Sequence, residues 1–133
     1  MNISQAASQT GLSSKTIRFY EQQGIIRPAA RAENGYRTYN AAQIAQLRFI
    51  KRARDLGFSL QESHELLQLA EDPQRRSADV KRKFLEKLAA LEAEIDQLQQ
   101  KRALMLGTVD RCPGDEGARC PIIDQLTAGE SAS

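Results

Sequence analysis

The stretch Ser4-Gln5-Ala6-Ala7-Ser8-Gln9-Thr10-Gly11-Leu12-Ser13-Ser14-Lys15-Thr16-Ile17-Arg18-Phe19-Tyr20-Glu21-Gln22 decides the fold. Ser4 is expected to cap a short helix that runs through Gln9, with Ala6, Ala7 and Leu12 as its apolar anchors. Thr10-Gly11-Leu12 reads as a tight turn, and glycine tolerates the left-handed backbone such a turn requires. Ser13 then caps a second helix, Ser14 to Gln22, which Gly24 ends. Helix, glycine turn and capped helix make a helix-turn-helix. Ile17 points inward on the second helix, with Phe19 or Tyr20, while Lys15, Thr16 and Arg18 are polar.

Working outward, Ile25-Ile26-Arg27-Pro28 is extended. Asn34-Gly35 is a hairpin turn signal, and Tyr36 to Tyr39 suit a strand. The result is a small two-stranded wing that carries Arg31 and Arg37. Asn40 caps a third helix, on which Ile44, Leu47, Ile50, Ala53 and Leu56 recur at helical spacing until Gly57. Ser59 caps a fourth helix with Leu60, Ser63, Leu66, Leu67 and Ala70, and Asp72-Pro73 breaks it. From Ser77 to about Thr108 nothing interrupts a helix, a rod of roughly 48 Å at ~1.5 Å per residue. Phe84, Leu88, Leu91, Ile95, Leu98, Arg102 and Met105 alternate by four and three along it. That is a coiled-coil seam interrupted at Arg102. A lone amphipathic rod cannot bury its own stripe, and the front module is too small to cover it, so a second copy of the chain is expected. Cys112 and Cys120 then bracket a seven-residue loop, and Pro121 suits the first position of a short helix. Thr127 to Ser133 is small and polar and is expected to be disordered.

The net charge of +2 over 133 residues hides an asymmetry. Residues 1–56 hold nine Lys/Arg against three Asp/Glu, and residues 57–133 hold ten against fourteen. Six of the seven aromatic residues fall at or before Phe58. The front is therefore a basic, aromatic-bearing module of the kind that meets nucleic acid. No apolar run approaches the ~18 residues of a membrane span, and no signal peptide is seen, so a cytoplasmic protein without membrane contact is expected. Two cysteines and one histidine cannot build a four-ligand zinc site within one chain. His64 lies in a polar helical run and is expected to be exposed. Neither a hydrolase triad nor a glycine-rich phosphate loop is present, so the chain is not expected to be an enzyme.

Lys15, Thr16, Arg18, Tyr20, Arg31, Tyr36, Arg37 and Tyr39 concentrate on the second helix and the wing. Cations there neutralise phosphates, helix side chains reach base edges, and tyrosines add hydroxyls and flat surface. Arg54 on the third helix offers a further phosphate contact. A two-fold dimer would read a palindromic site in double-stranded DNA. Cys112 and Cys120 supply a soft, low-coordination sulfur site that favours the monovalent ions Cu(I), Ag(I) and Au(I) over Zn(II). Two thiolates around such an ion leave a net charge of −1. The N-terminus of the helix at Pro121, or Lys81, can stabilise it. The pair also fits a redox switch, or two unrelated thiols. A metal carrier without a promoter role is a third possibility; it would bind Cu(I) but show no preference for a palindrome.

The motifs Ile17-Arg18-Phe19-Tyr20-Glu21, Glu33-Asn34-Gly35-Tyr36-Arg37-Thr38-Tyr39 and Ala53-Arg54-Asp55-Leu56-Gly57-Phe58 resemble those of the MerR family of transcription activators. Ser77-Ala78-Asp79-Val80-Lys81-Arg82, Cys112-Pro113-Gly114-Asp115 and Cys120-Pro121-Ile122-Ile123 resemble its monovalent-metal-sensing branch. The resemblance covers nearly the whole chain. Zinc-, lead- and mercury-sensing members place a third cysteine where this chain has Ser77, and that position closes the pocket from the other subunit. The resemblance implies one Cu(I) per subunit, with Ag(I) or Au(I) as alternatives. Cys112 and Cys120 would be the ligands, and Ser77 and Lys81 would border the pocket. It also implies a homodimer on a promoter with a long spacer. Metal would bend and underwind that spacer, so that RNA polymerase, reached through the promoter, transcribes copper-efflux genes. A gold-selective member of the same branch remains an alternative.

The expected fold is mostly α. Residues 1–72 form a winged helix-turn-helix DNA-binding head with connecting helices. Residues 77–108 form a dimerisation helix in an antiparallel coiled coil. Residues 109–126 form a metal-binding loop and short helix, and residues 127–133 a disordered tail.

Overall fold

A computed structural model of the chain describes residues 1–31, 33 and 35–128. In chain order the elements are α1 (Ile3–Thr10), α2 (Ser14–Gln22), β1 (Ala30–Arg31), β2 (Arg37–Thr38), α3 (Ala41–Asp55), α4 (Leu60–Glu71), α5 (Ser77–Arg111) and α6 (Pro121–Ala128). They divide into two compact units, Met1–Lys83 and Phe84–Ser133.

The first unit begins with a capping difference. Asn2, not Ser4, caps α1: its side chain accepts from the Gln5 N–H at 2.8 Å, and Gln5 returns a contact to the Asn2 N–H at 2.9 Å. This reciprocal box satisfies two otherwise orphaned amides, which a cap at Ser4 would leave bare. Gly11 ends α1 with φ +76°, as the turn requires. Ser13 caps α2 through the Thr16 N–H at 3.1 Å. Asn40 and Ser59 close capping boxes with Gln43 and Glu62 at the starts of α3 and α4.

The wing is shorter than the sequence implies. Each strand has two residues, paired antiparallel with Ala30 opposite Thr38 and Arg31 opposite Arg37. Of the expected Asn34-Gly35 turn, Asn34 lies outside the described residues, and Gly35 has φ +83°.

The core of this unit joins Ala6 of α1, Ile17 and Tyr20 of α2, Ile25, Ile26, Tyr39, then Ile44, Leu47 and Ile50 of α3 with Leu67 of α4. A second cluster of Ala53, Phe58 and Leu66 takes Val80, from the start of α5, against it. Leu56 is not part of the α3 stripe: it is the C-cap, past the last turn, and lies exposed. His64 is half-buried rather than exposed, and lines a surface pocket together with Ile25 and Leu67.

α5 is one continuous helix of 35 residues, about 52 Å long, and runs three residues beyond Thr108. Within the second unit its apolar stripe, Phe84, Leu88, Leu91, Ile95, Leu98 and Met105, is 44–68% exposed. Near its end the Thr108 hydroxyl lies 2.8 Å from the Leu104 carbonyl oxygen and 2.8 Å from the side-chain oxygen of Gln125, which ties α5 to α6. Thr127 and Ala128, expected in the tail, are the last residues of α6. Residues 129–133 lie outside the described residues. No helix among the described residues is long and apolar enough to cross a membrane.

Ser63, fully buried on α4, has a hydroxyl without a hydrogen-bond partner among the described residues. A buried polar group left unpaired costs stability, so Ser63→Ala is expected to stabilise the protein by about 1 kcal/mol. The urea midpoint should rise with an unchanged slope.

Candidate nucleic-acid interface and thiol site

α2 positions the first group of candidate residues. Its buried face is Ile17 and Tyr20. Lys15 and Arg18 stand on the opposite side, exposed. Thr16 is half-buried beside the cap, where its hydroxyl oxygen accepts from Ser13 at 2.8 Å. On the wing, Tyr36 is largely exposed, and the exposed Arg31 guanidinium donates to the Gly35 carbonyl at 3.2 Å. That contact braces the wing turn. Arg54, exposed on α3, donates to the Phe58 carbonyl at 3.1 Å and so stitches the turn into α4.

Two expected surface residues lie elsewhere. Tyr20 and Tyr39 are core side chains, 6% and 2% exposed, so neither ring offers a flat face to DNA. Both rings belong to the one apolar cluster that packs α1, α2, α3 and α4 together. Phe19, the other candidate for the inward position, stays exposed instead.

The residue that sequence reasoning passed over is Glu21. Its side chain is only 7% exposed. It accepts from the Tyr39 hydroxyl, from the Ala29 N–H at 3.3 Å and from Arg37 Nη1 at 3.4 Å. Arg37 is thus partly committed within the protein rather than wholly free for phosphate. A signal was present: Arg37 and Tyr39 are two residues apart and so share one face of an extended strand. Glu21 follows Ile17 by one helical turn, at the edge of the buried face. A carboxylate at that edge needs donors, and a strand face carrying an arginine and a tyrosine supplies them. Burial, then the contact with Glu21, pushes the Tyr39 phenol from 10.0 up to about 12.

The second unit holds the thiols. Both cysteines are free and half-buried, and their sulfurs are 3.6 Å apart. A disulfide would need about 2.05 Å. The loop between them turns at Gly114, with φ +63°, and Asp115 accepts from the Gly117 N–H at 2.9 Å. Cys120 directly precedes α6. The Ile123 N–H foremost, then the Cys112 thiol and the Ile122 N–H, hold the Cys120 thiol below its usual value. Backbone donors at a helix start thus favour negative charge on this sulfur. Among the described residues no three His, Cys, Asp or Glu side chains gather into a metal site. The donor set is therefore two soft sulfurs, which fits a low-coordinate thiophilic ion and not a four-ligand or oxygen-bound one. Ser77 and Lys81 are exposed on the opening turns of α5, in the first unit.

These features match known proteins. Residues 1–70 match the model of the MerR HTH family regulatory protein, and residues 44–107 that of MerR, DNA binding. The chain is 52% identical over 127 residues to the HTH-type transcriptional regulator CueR of Escherichia coli O6:H1, covering 96% of this chain and 94% of that protein. It is 45% identical over 131 residues to heavy metal-dependent transcription regulator 2 of Rhizobium meliloti, covering 98% and 89%. Among solved structures, the regulator PbrR691 of Ralstonia metallidurans CH34 with lead(II) superposes with a TM-score of 0.81 at 25% identity, covering 95% of this chain and 98% of that one.

A winged helix-turn-helix with a long helix is the architecture of a DNA-binding transcription regulator, and the relatives that the chain matches are transcriptional regulators, not enzymes. The chain belongs to the MerR family, and is a metal-responsive regulator similar to CueR. Regulators of this family bind promoter DNA as dimers and act through RNA polymerase.

Two outcomes are expected. Tyr39→Phe removes a donor from a buried carboxylate and should destabilise the protein by about 1–3 kcal/mol. Because the Tyr39 pKa is raised on folding, its contribution is complete below pH 10 and is lost as pH climbs through about 12. Urea titrations at pH 8 and pH 11 should show that alkaline loss in the parent and a smaller one in Tyr39→Phe. Arg18→Ala should weaken promoter binding by about 1–3 kcal/mol if Arg18 meets a base edge or a fixed phosphate; unchanged anisotropy titrations would remove it from the interface.

Proposed function

We propose that this protein is a Cu(I)-responsive transcriptional activator, responding also to Ag(I) and Au(I), that switches on copper efflux and detoxification genes. One ion per subunit is held between Cys112 and Cys120. The observation that carries this reading is the isolated sulfur pair, 3.6 Å apart, with no third candidate ligand gathered beside it among the described residues. Two thiolates satisfy a monovalent d10 ion, while a divalent ion would keep coordination positions open. The resulting net charge of −1 suits the α6 N-terminus, whose N–H groups already favour charge on Cys120. The likeness to CueR supports copper as the effector.

Ser77 is the first residue of α5, and Cys112 follows its last. In an antiparallel pair of such helices, the first turn of one lies beside the last turn of the other. Ser77 of the partner subunit then closes the pocket without adding a ligand, and Lys81 of the partner subunit tempers its charge. The exposed stripe from Phe84 to Met105 is the surface that such a pairing covers.

Lys15, Thr16, Arg18, Arg31, Tyr36, Arg37 and Arg54 contact a palindromic element, one half-site per subunit. Metal shifts the dimer towards the state whose two heads bend and underwind the spacer. That state must bind metal more tightly, since equal affinity would shift nothing. The DNA distortion costs a few kcal/mol, within reach of the dimer's phosphate contacts.

The test is transcription in vitro from a promoter containing the element, with reduced protein and Cu(I), Ag(I), Au(I), Zn(II) or peroxide. The three monovalent ions are expected to activate the parent and not Cys112→Ser. Activation by zinc or peroxide without a response to Cu(I) would refute the reading. The relative response to copper and gold separates a gold-selective member from a copper sensor.

A further inference from the structure

Phe19 is the side chain on α2 that neither the core nor the charge pattern explains. The buried face of α2 is Ile17 and Tyr20. At ~100° per residue, the centre of that face lies directly opposite a strip made of Lys15, Arg18, Phe19 and Gln22. All four are exposed, and Phe19 keeps 45% of its surface open. Its ring centroid is 6.3 Å from that of Tyr20, with the planes tilted by 52°. The buried Tyr20 thus steadies one edge of the ring and leaves the rest uncovered.

Lys15 and Arg18 put charge on this strip, and Gln22 puts an amide there. All three suit phosphates or the polar edges of bases. A phenyl ring offers neither charge nor a conventional hydrogen bond. In a major groove its use is apolar contact, and the apolar group displayed there is the C5-methyl of thymine. The other side chains of this helix with apolar groups near the strip are less available: Ile17 is buried, and Thr16 is half-buried at the cap with its hydroxyl oxygen accepting from Ser13.

We propose that Phe19 is a sequence-reading residue, its ring packing on a thymine C5-methyl in each half-site of the operator. The inference rests on α2 being the helix that enters the major groove. It adds a specificity element that carries no charge. Binding through it should therefore respond to base identity while leaving the salt dependence unaltered.

The probe is the duplex that the protein itself selects from a randomised double-stranded pool. Each thymine is replaced in turn by deoxyuridine, which deletes the methyl and keeps base pairing. Affinity is measured by fluorescence anisotropy for the parent and for Phe19→Ala, with circular dichroism and thermal midpoints checking the fold. One thymine per half-site is expected to matter: its replacement should weaken the parent about fourfold, the transfer value of one buried methyl group. The same replacement should leave Phe19→Ala unaffected, and the salt slopes of the two proteins should agree. If every replacement is silent in the parent, or costs Phe19→Ala as much as the parent, the inference is overturned. The scan on the parent needs no variant, so a poorly folding variant does not rescue the idea. A parent that selects no duplex overturns the DNA-binding role of α2 as well, which separates the two failures.

Discussion

A carboxylate withdrawn from water needs donors at fixed positions, and Glu21 is withdrawn almost completely. Its partners come from later in the chain, the Ala29 amide, Arg37 and Tyr39. Meeting them docks the wing on α2. The consequences spread through Tyr39. Its ring fills the core, its carbonyl accepts from the N-terminal ammonium of Met1 at 3.2 Å, and the next residue, Asn40, caps α3. One buried charge therefore couples the first residue, α2, the wing and the start of α3. Two strands of two residues each would hardly hold a wing in place by their own pairing.

The thiol loop uses charge in the opposite sense. At Glu21 donors neutralise a charge that the fold already carries. At Cys120 the backbone N–H groups of α6 favour negative charge on the sulfur, the form that the proposed metal ion would meet. On the proposed assignment, a site of two sulfurs is selective through what it lacks: it would offer a soft monovalent ion all the donors it needs and leave a divalent ion short. The apolar stripe of α5 is incomplete in the same way. Its exposed leucines, with Phe84, Ile95 and Met105, make sense when a second copy covers them.

Much of this was legible in the residues. Ser13, Asn40 and Ser59 announce three helix starts, because a side-chain oxygen at that position satisfies amides nothing else reaches. The glycine turn after α1 and the unbroken run of α5 were equally readable. The seven-residue loop between Cys112 and Cys120 reads as long enough to bring both sulfurs to one ion, but a loop of that length can also hold them far apart, and their 3.6 Å separation was decided by the fold. Boundaries were less so. Asn2 displaced Ser4 as the first cap because Gln5 completes a reciprocal pair with it. α6 runs on to Ala128, into residues whose composition reads as tail.

The sequence by itself determined the local elements: where helices begin, where glycine turns them, and which face of each is apolar. Those depend on contacts a few residues apart, so the order of side chains along the chain is enough. The tertiary structure alone decided how the aromatic residues divide. Tyr20 and Tyr39 read as DNA-facing hydroxyls yet close the core, while Phe19, a plausible core residue, stands exposed beside Lys15 and Arg18. Helical periodicity brings Phe19 and Tyr20 to adjacent positions without saying which one turns inward. That choice falls to the surface that α3 and the wing bring against α2, and to a carboxylate at position 21 that must find its donors as α2 is buried.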